Sequence, residues 1–273
     1  MKVKSGFTLI ELSIVLVIIG LIIGGVLVGR DLIKAAEIRA TVGQKEKFDT
    51  AANTFSLKYN GKPGDLSPAN ASALDMFDTG MTGAAGLGDS NGLMQSENSA
   101  AHPSEPDPYS EGLVFWRHLS DAQLIEGNYG KDLAAGGFPP TDQSVSNMSL
   151  WMPPTKIGRG VVAITSINGK NYFIIYTGLD TGGLSALYTV AQPLWYSVAP
   201  TLTPLEAQNM DSKVDDGMPA TGIVRAASGS NSEYLGTYPP LPENCTSGST
   251  PDNYNVGGTY KDSIVCNLLL EIK

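Results

Sequence analysis

Basic residues, histidine and cysteine are all scarce in this chain of 273 residues. Lys and Arg number 18 against 27 Asp and Glu, a formal net charge of −9. A surface that acidic repels phosphate backbones, which argues against nucleic acid as a direct ligand. The two histidines, His102 and His118, have no second ligand at metal spacing. A helical His118 beside Trp116 reads as packing or surface. No H-E-x-x-H, G-x-S-x-G or phosphate-binding loop occurs, so the common hydrolytic and nucleotide sites are missing. An enzyme is therefore not expected. Proline is absent from Asp31 to Tyr59, and charge is absent from Leu12 to Val28, where Ser13 is the only polar side chain.

That uncharged run is the stretch around which the chain is organised. Phe7 to Val28 is about 33 Å long as a helix at 1.5 Å per residue, enough to cross a hydrocarbon core of about 30 Å. The leader, Met1 to Gly6, is short and basic, and no small-residue cleavage site follows the run: Val28-Gly29-Arg30 leads straight into an amphipathic helix. One carboxylate, Glu11, lies inside the span, where an ionised group is costly and by default a functional candidate.

Gly6-Phe7-Thr8-Leu9-Ile10-Glu11-Leu12 behind a short basic leader resembles the prepilin signal of type IV pilins and type II secretion pseudopilins. The resemblance implies that prepilin peptidase cuts after Gly6, that Phe7 is then N-methylated, and that the apolar helix stays on the mature protein as a filament core. It carries Glu11, fifth from the cut, over as an assembly residue. The partners it implies are the peptidase, other copies and related pilins, and an inner-membrane assembly platform. The location it implies is the bacterial inner membrane, single-pass, and then a periplasmic or extracellular filament. The competing reading is an ordinary signal anchor whose Glu11 snorkels toward the headgroups. Charge does not settle orientation, since Lys2 and Lys4 at one end face Arg30, Lys34 and Arg39 at the other. In an exported chain, Cys245 and Cys266 are expected to form a disulfide, worth about 3 kcal/mol in the chain-entropy model; two free buried thiols are the alternative.

Beyond the span, Ile38, Val42, Phe48, Ala52, Phe55 and Tyr59 recur at a helical period, with Lys45 filling the step before Phe48. One face should therefore pack on a globular domain. Asn60-Gly61 offers a left-handed stop and Pro63 prevents resumption. A single helix over 7–59 would be about 80 Å long. Gly20 and Gly24, and Gly25 and Gly29, form small-xxx-small pairs that permit close helix approach in membranes. Residues 61–110 read as an irregular loop, and Glu111 to Ile125 as a short amphipathic helix ending near Gly127. Val161 to Ile167 and Lys170 to Tyr176 flank Asn168-Gly169, the preferred two-residue hairpin turn. Thr203, Pro204 and Glu206 spell a capping box. Gly222 to Ala226 and Ile264 to Ile272 read as strands. The expected fold is α+β and pilin-like: a leader at 1–6, a long helix at 7–59 whose first part, 7–28, spans the membrane, and an exterior domain at 60–273. With 31 Gly and 17 Pro, that domain should be rich in loops.

Asp211, Asp215 and Asp216 fall at the C-terminal end of the capped helix, an electrostatically unfavourable place for carboxylates. Lys213 could compensate, or calcium, the one candidate cofactor, since hard cations prefer oxygen ligands; an ordinary Asp-Asp-Gly turn is the simpler account. Asp89-Ser90-Asn91-Gly92 is a weaker candidate of the same kind. Three function classes remain: a pilus subunit, major or minor, which is the first choice; a pseudopilin of a type II secretion system; and a membrane-anchored binding protein or enzyme that never polymerises. Mass spectrometry of the membrane-extracted protein is expected to show an N-methylated Phe7 start. An intact Met1, or a cut near Gly29, would reject the prepilin reading.

Overall fold

A computed structural model of the chain describes residues 8–67, 70–71, 88, 90–94, 111–129, 148–167, 169–177, 200–227, 244–247 and 253–273. One helix, α1 (Leu9–Tyr59), runs for 51 residues. It is long and apolar enough near the N-terminus to cross a membrane. Apolar side chains from Leu9 to Ile33 are exposed on every side of it. Its second half is amphipathic, burying Ile38, Phe48, Ala51, Ala52 and Phe55 as the helical period predicts. Lys45 occupies the step expected of it: its stem is buried, and its ammonium pairs with Asp49 one turn on, at 2.5 Å. Asn60 ends the helix in the left-handed conformation, φ 51° and ψ 42°, as an Asn-Gly stop should.

The remaining elements are α2 (Glu111–Asp121), β1 (Val161–Ile167), β2 (Lys170–Tyr176), α3 (Pro204–Val214), β3 (Val224–Ala227) and β4 (Asn267–Glu271). The strands form one sheet in the order β1-β2-β4-β3, with every neighbouring pair antiparallel. The architecture is α+β and pilin-like: a long apolar-ended helix against an antiparallel sheet. Val162, Phe173, Ile175 and Leu270 on one face meet Thr41, Gln44, Lys45 and Phe48 of α1. Ala163, Ile174 and Leu269 on the other face are buried as well, which is why these strands read as apolar runs instead of alternating. Both edges are blunted by proline carbonyls: Val162 donates to Pro153 and Ala226 to Pro219, each at 2.9 Å.

Phe48 is where the layers meet. Its ring lies 4.8 Å from Trp116 of α2 and 5.9 Å from Phe173 of β2, within the range of favourable aromatic pairs. His118 is packed in the core and not on the surface. Fully buried, it stacks on Phe55 with ring centroids 5.7 Å apart, and its Nδ1 accepts the Gly64 N–H at 2.9 Å. His102 lies outside the described residues.

Three boundaries differ from the sequence expectation. Helix α2 stops at Asp121, not Ile125, because Gln123 takes φ 58°. The bonds Leu124 N to Leu119 O and Gln123 N to Ser120 O, both 3.0 Å, form a Schellman stop at a residue that is not glycine. Strand β3 begins at Val224, since the N–H groups of Ile223 and Val224 go to the Asp215 carboxylate. Strand β4 begins at Asn267, since Val265 and Cys266 donate to Leu202. The hairpin register is as expected, with Ile167 opposite Lys170 and Gly169 at φ 77°; Asn168, like most of 61–110, lies outside the described residues. Phe48→Ala should cost about 3–5 kcal/mol in denaturant unfolding. A loss below about 1 kcal/mol would mean that the long helix is not anchored through this ring.

Candidate functional site at the start of the long helix

The helix starts with a residue the sequence reading passed over. Thr8 is the N-cap, extended at φ −77° and ψ 152°. Its Oγ1 accepts the Glu11 N–H at 3.3 Å. In return Glu11 Oε2 accepts from the Thr8 N–H at 2.8 Å and from Thr8 Oγ1 at 2.7 Å. This is a reciprocal capping box, which satisfies donors that the first turn otherwise leaves open. The carboxylate also faces the positive end of the helix dipole. Thr8-Leu9-Ile10-Glu11 is the same S/T-x-x-E pattern that marks Thr203 to Glu206, so the signal was present. Only Oε2 is used in these bonds, and among the described residues Oε1 has no partner. Glu11 is exposed in the subunit. Gly6 and Phe7, the expected cleavage and methylation positions, lie outside the described residues.

The second capping box is formed as read. Thr203 caps α3, Pro204 follows, and Glu206 accepts the Thr203 N–H at 2.9 Å while pairing with Arg159 at 2.6 Å. At the other end of α3 the three aspartates do come together, with one oxygen from each within 4.8 Å of the others. Every carboxylate oxygen among them except Asp215 Oδ1 accepts a hydrogen bond from the chain. Asp211 takes Gly217 N–H at 3.1 Å and Tyr254 Oη–H at 2.8 Å. Asp215 takes Ile223 and Val224, and Asp216 takes Met218 N–H and Thr221 Oγ1–H. Lys213 pairs with none of them among the described residues. The set fits a hydrogen-bonded turn better than a cation cage, because calcium would compete with donors already in place. Gly217 and Gly222, at φ 77° and 70°, are required by the turn. A Cβ on Gly222 would overlap the Asp215 carboxylate. Asp89, the aspartate of the weaker candidate, lies outside the described residues, while Ser90 and Gly92 aim backbone N–H groups at the Asp65 carboxylate. That loop is built to hold an anion, and Asp65 fills it.

Cys245 and Cys266 are bonded, with Cα atoms 5.1 Å apart, and both are buried; the free-thiol alternative is set aside. The disulfide loop reaches the aspartate turn through Tyr254. Burial pushes the Asp211 carboxyl up to about 6, against the downward pull of the Tyr254 and Gly217 hydrogen bonds and with like charge from Asp216 and Asp215 adding to the rise.

The fold and the N-terminal geometry describe a class: a subunit with a built α+β head and an uncovered apolar helix opened by a Thr–Glu cap. Residues 1–27 match the family model described as the prokaryotic N-terminal methylation motif. The chain thus carries the prepilin-type signal of type IV pilins and pseudopilins. No curated protein and no solved structure matches the chain.

The raised Asp211 carboxyl has a sign that can be checked. A group held higher in the folded state than its ordinary 3.8 stabilises folding fully below that value, and the contribution is lost as pH rises through about 6. Between pH of about 7 and about 5 the wild type should gain stability from this site, and Asp211→Asn should flatten that part of the profile. An unchanged slope in the variant's unfolding free energy would remove Asp211 from the account.

Proposed function

We propose that the protein is a pilin-like structural subunit that polymerises through α1 into a type IV pilus-type filament. One observation carries the reading: the head has a buried core, yet among the described residues nothing covers the apolar half of α1. Lipid covers it before assembly and the helices of other copies cover it afterwards. The prepilin-type signal at residues 1–27 supports processing by prepilin peptidase after Gly6 and N-methylation of Phe7. The work is structural and not enzymatic, and the location is first the membrane and then a fibre.

Glu11 is the residue that sets the subunit's height in that fibre. Its capping bonds occupy Oε2 and leave Oε1 for a donor from outside, and cleavage after Gly6 gives every copy a positive amine at Phe7. A carboxylate and an amine about 4 Å apart attract by roughly 4 kcal/mol at an effective dielectric near 20. Desolvation offsets much of that gain, so the pair contributes register more than affinity. A copy at the wrong height leaves two charges unpaired among apolar helices. Glu11→Gln keeps the size and one acceptor oxygen but removes the charge. It should leave insertion and leader cleavage intact while fibre formation falls at least tenfold, by roughly the 1.4 kcal/mol or more that a lost charge pair represents. Normal fibres from that variant would show that the carboxylate is not a docking group. Failure of cleavage would move its role to peptidase recognition.

A further inference from the structure

Helix α1 leaves its apolar run at Val28, and the next two cations are Arg30 and Lys34. Four residues apart, they lie on one side of the helix, about 6 Å from each other along its axis. Both are exposed, and neither joins an ion pair among the described residues, although Asp31 and Glu37 are near in sequence. The first fully buried residue of α1 is Ile38, so among the described residues nothing of the head covers Arg30 or Lys34. Helical side chains tilt toward the N-terminus, which here means back toward the apolar run. With Val28 at the edge of the hydrocarbon, Arg30 rises about 3 Å above it and Lys34 about 9 Å. Leaning back, both heads enter a headgroup layer some 5–7 Å deep on each side. Glu37, about 13 Å up, stands above that layer, and Asp31 points about a quarter turn away.

We propose that Arg30 and Lys34 form a headgroup clamp, a site for the phosphate of an anionic membrane lipid that fixes the head's height above the bilayer until assembly draws the helix out. This rests on the reading that the apolar run spans a membrane. The partner is a lipid and not a free phosphate, because the two cations sit on a convex helix directly beyond the apolar run, where acyl chains supply the rest of the contact. Arg contributes a bidentate fork and Lys a compact charge, and both bonds are charge-assisted.

The test places the full chain in nanodiscs of phosphatidylcholine and phosphatidylglycerol in equal parts and counts the lipids retained by native mass spectrometry. The wild type should keep phosphatidylglycerol well above its share. Arg30→Gln with Lys34→Gln should lower the ratio of phosphatidylglycerol to phosphatidylcholine retained by roughly 25-fold, at about fivefold per juxtamembrane cation. Arg39→Gln, on the opposite side of the helix, should leave it unchanged. Equal enrichment in the double variant, or an equal loss in Arg39→Gln, would overturn the clamp. Insertion of the wild type without enrichment would sink the clamp alone, whereas failure to insert would sink the membrane reading with it.

Discussion

A helix that is apolar on every side cannot bury itself against one partner face, and the first half of α1 is such a helix. Its leucines, isoleucines and valines stand exposed from Leu9 to Val28. Each aliphatic side chain is worth about 1.5–3 kcal/mol when removed from water, so no soluble monomer can carry them uncovered. The rest of the molecule is arranged so that this demand can be met from outside. None of the described residues of the head buries the run. The helix passes without a proline into a second half that is one-sided, and only there does the domain take hold.

The hold is made by aromatic packing and then closed by polar clamps. Phe48 sits between Trp116 and Phe173, and Phe55 under His118, so α1, α2 and the sheet share one core. The head also depends on hydrogen-bonded aspartates. Asp65 gathers a loop through Ser90 and Gly92. Asp215 ties the end of α3 to the start of β3, Asp211 closes the turn onto Gly217, and Tyr254 links Asp211 to the Cys245–Cys266 loop. In a loop-rich domain these local clamps replace part of what longer strands would supply.

The features that could be read from sequence were those with a strong local cause. The uncharged run, the helical period from Ile38 to Tyr59, the Asn-Gly hairpin and the Thr203 cap each depend on neighbours within a few residues. The disulfide needed only an exported chain and two cysteines. What escaped depended on distant partners. Gln123 in a left-handed conformation gives no glycine to mark the end of α2. Strand β3 starts late because a carboxylate from α3 takes its first two donors, and β4 starts late because Leu202 takes those of Val265 and Cys266. The aspartate cluster could be located in the sequence but not interpreted, since the same spacing serves a cation or a turn. Thr8 is the opposite case. Its capping pattern is legible in Thr8-Leu9-Ile10-Glu11, but a lone charge in an apolar run reads first as a membrane feature, which masks the cap at its side.

Glu11 has an intramolecular partner in Thr8, and the intermolecular one proposed above would come second. Thr8 donates to one oxygen, which lowers the cost of carrying a carboxylate near lipid, and the other is the one proposed to meet a neighbour. The central claim is that α1 ends up surrounded by copies of itself. Electron microscopy of cells with and without this protein, with mass spectrometry of the sheared fibres, tests it most directly. The account predicts thin filaments that contain this chain and vanish when it is removed. A protein that stays wholly in the membrane fraction, with filaments unchanged by its loss and none of its peptides in them, would contradict it.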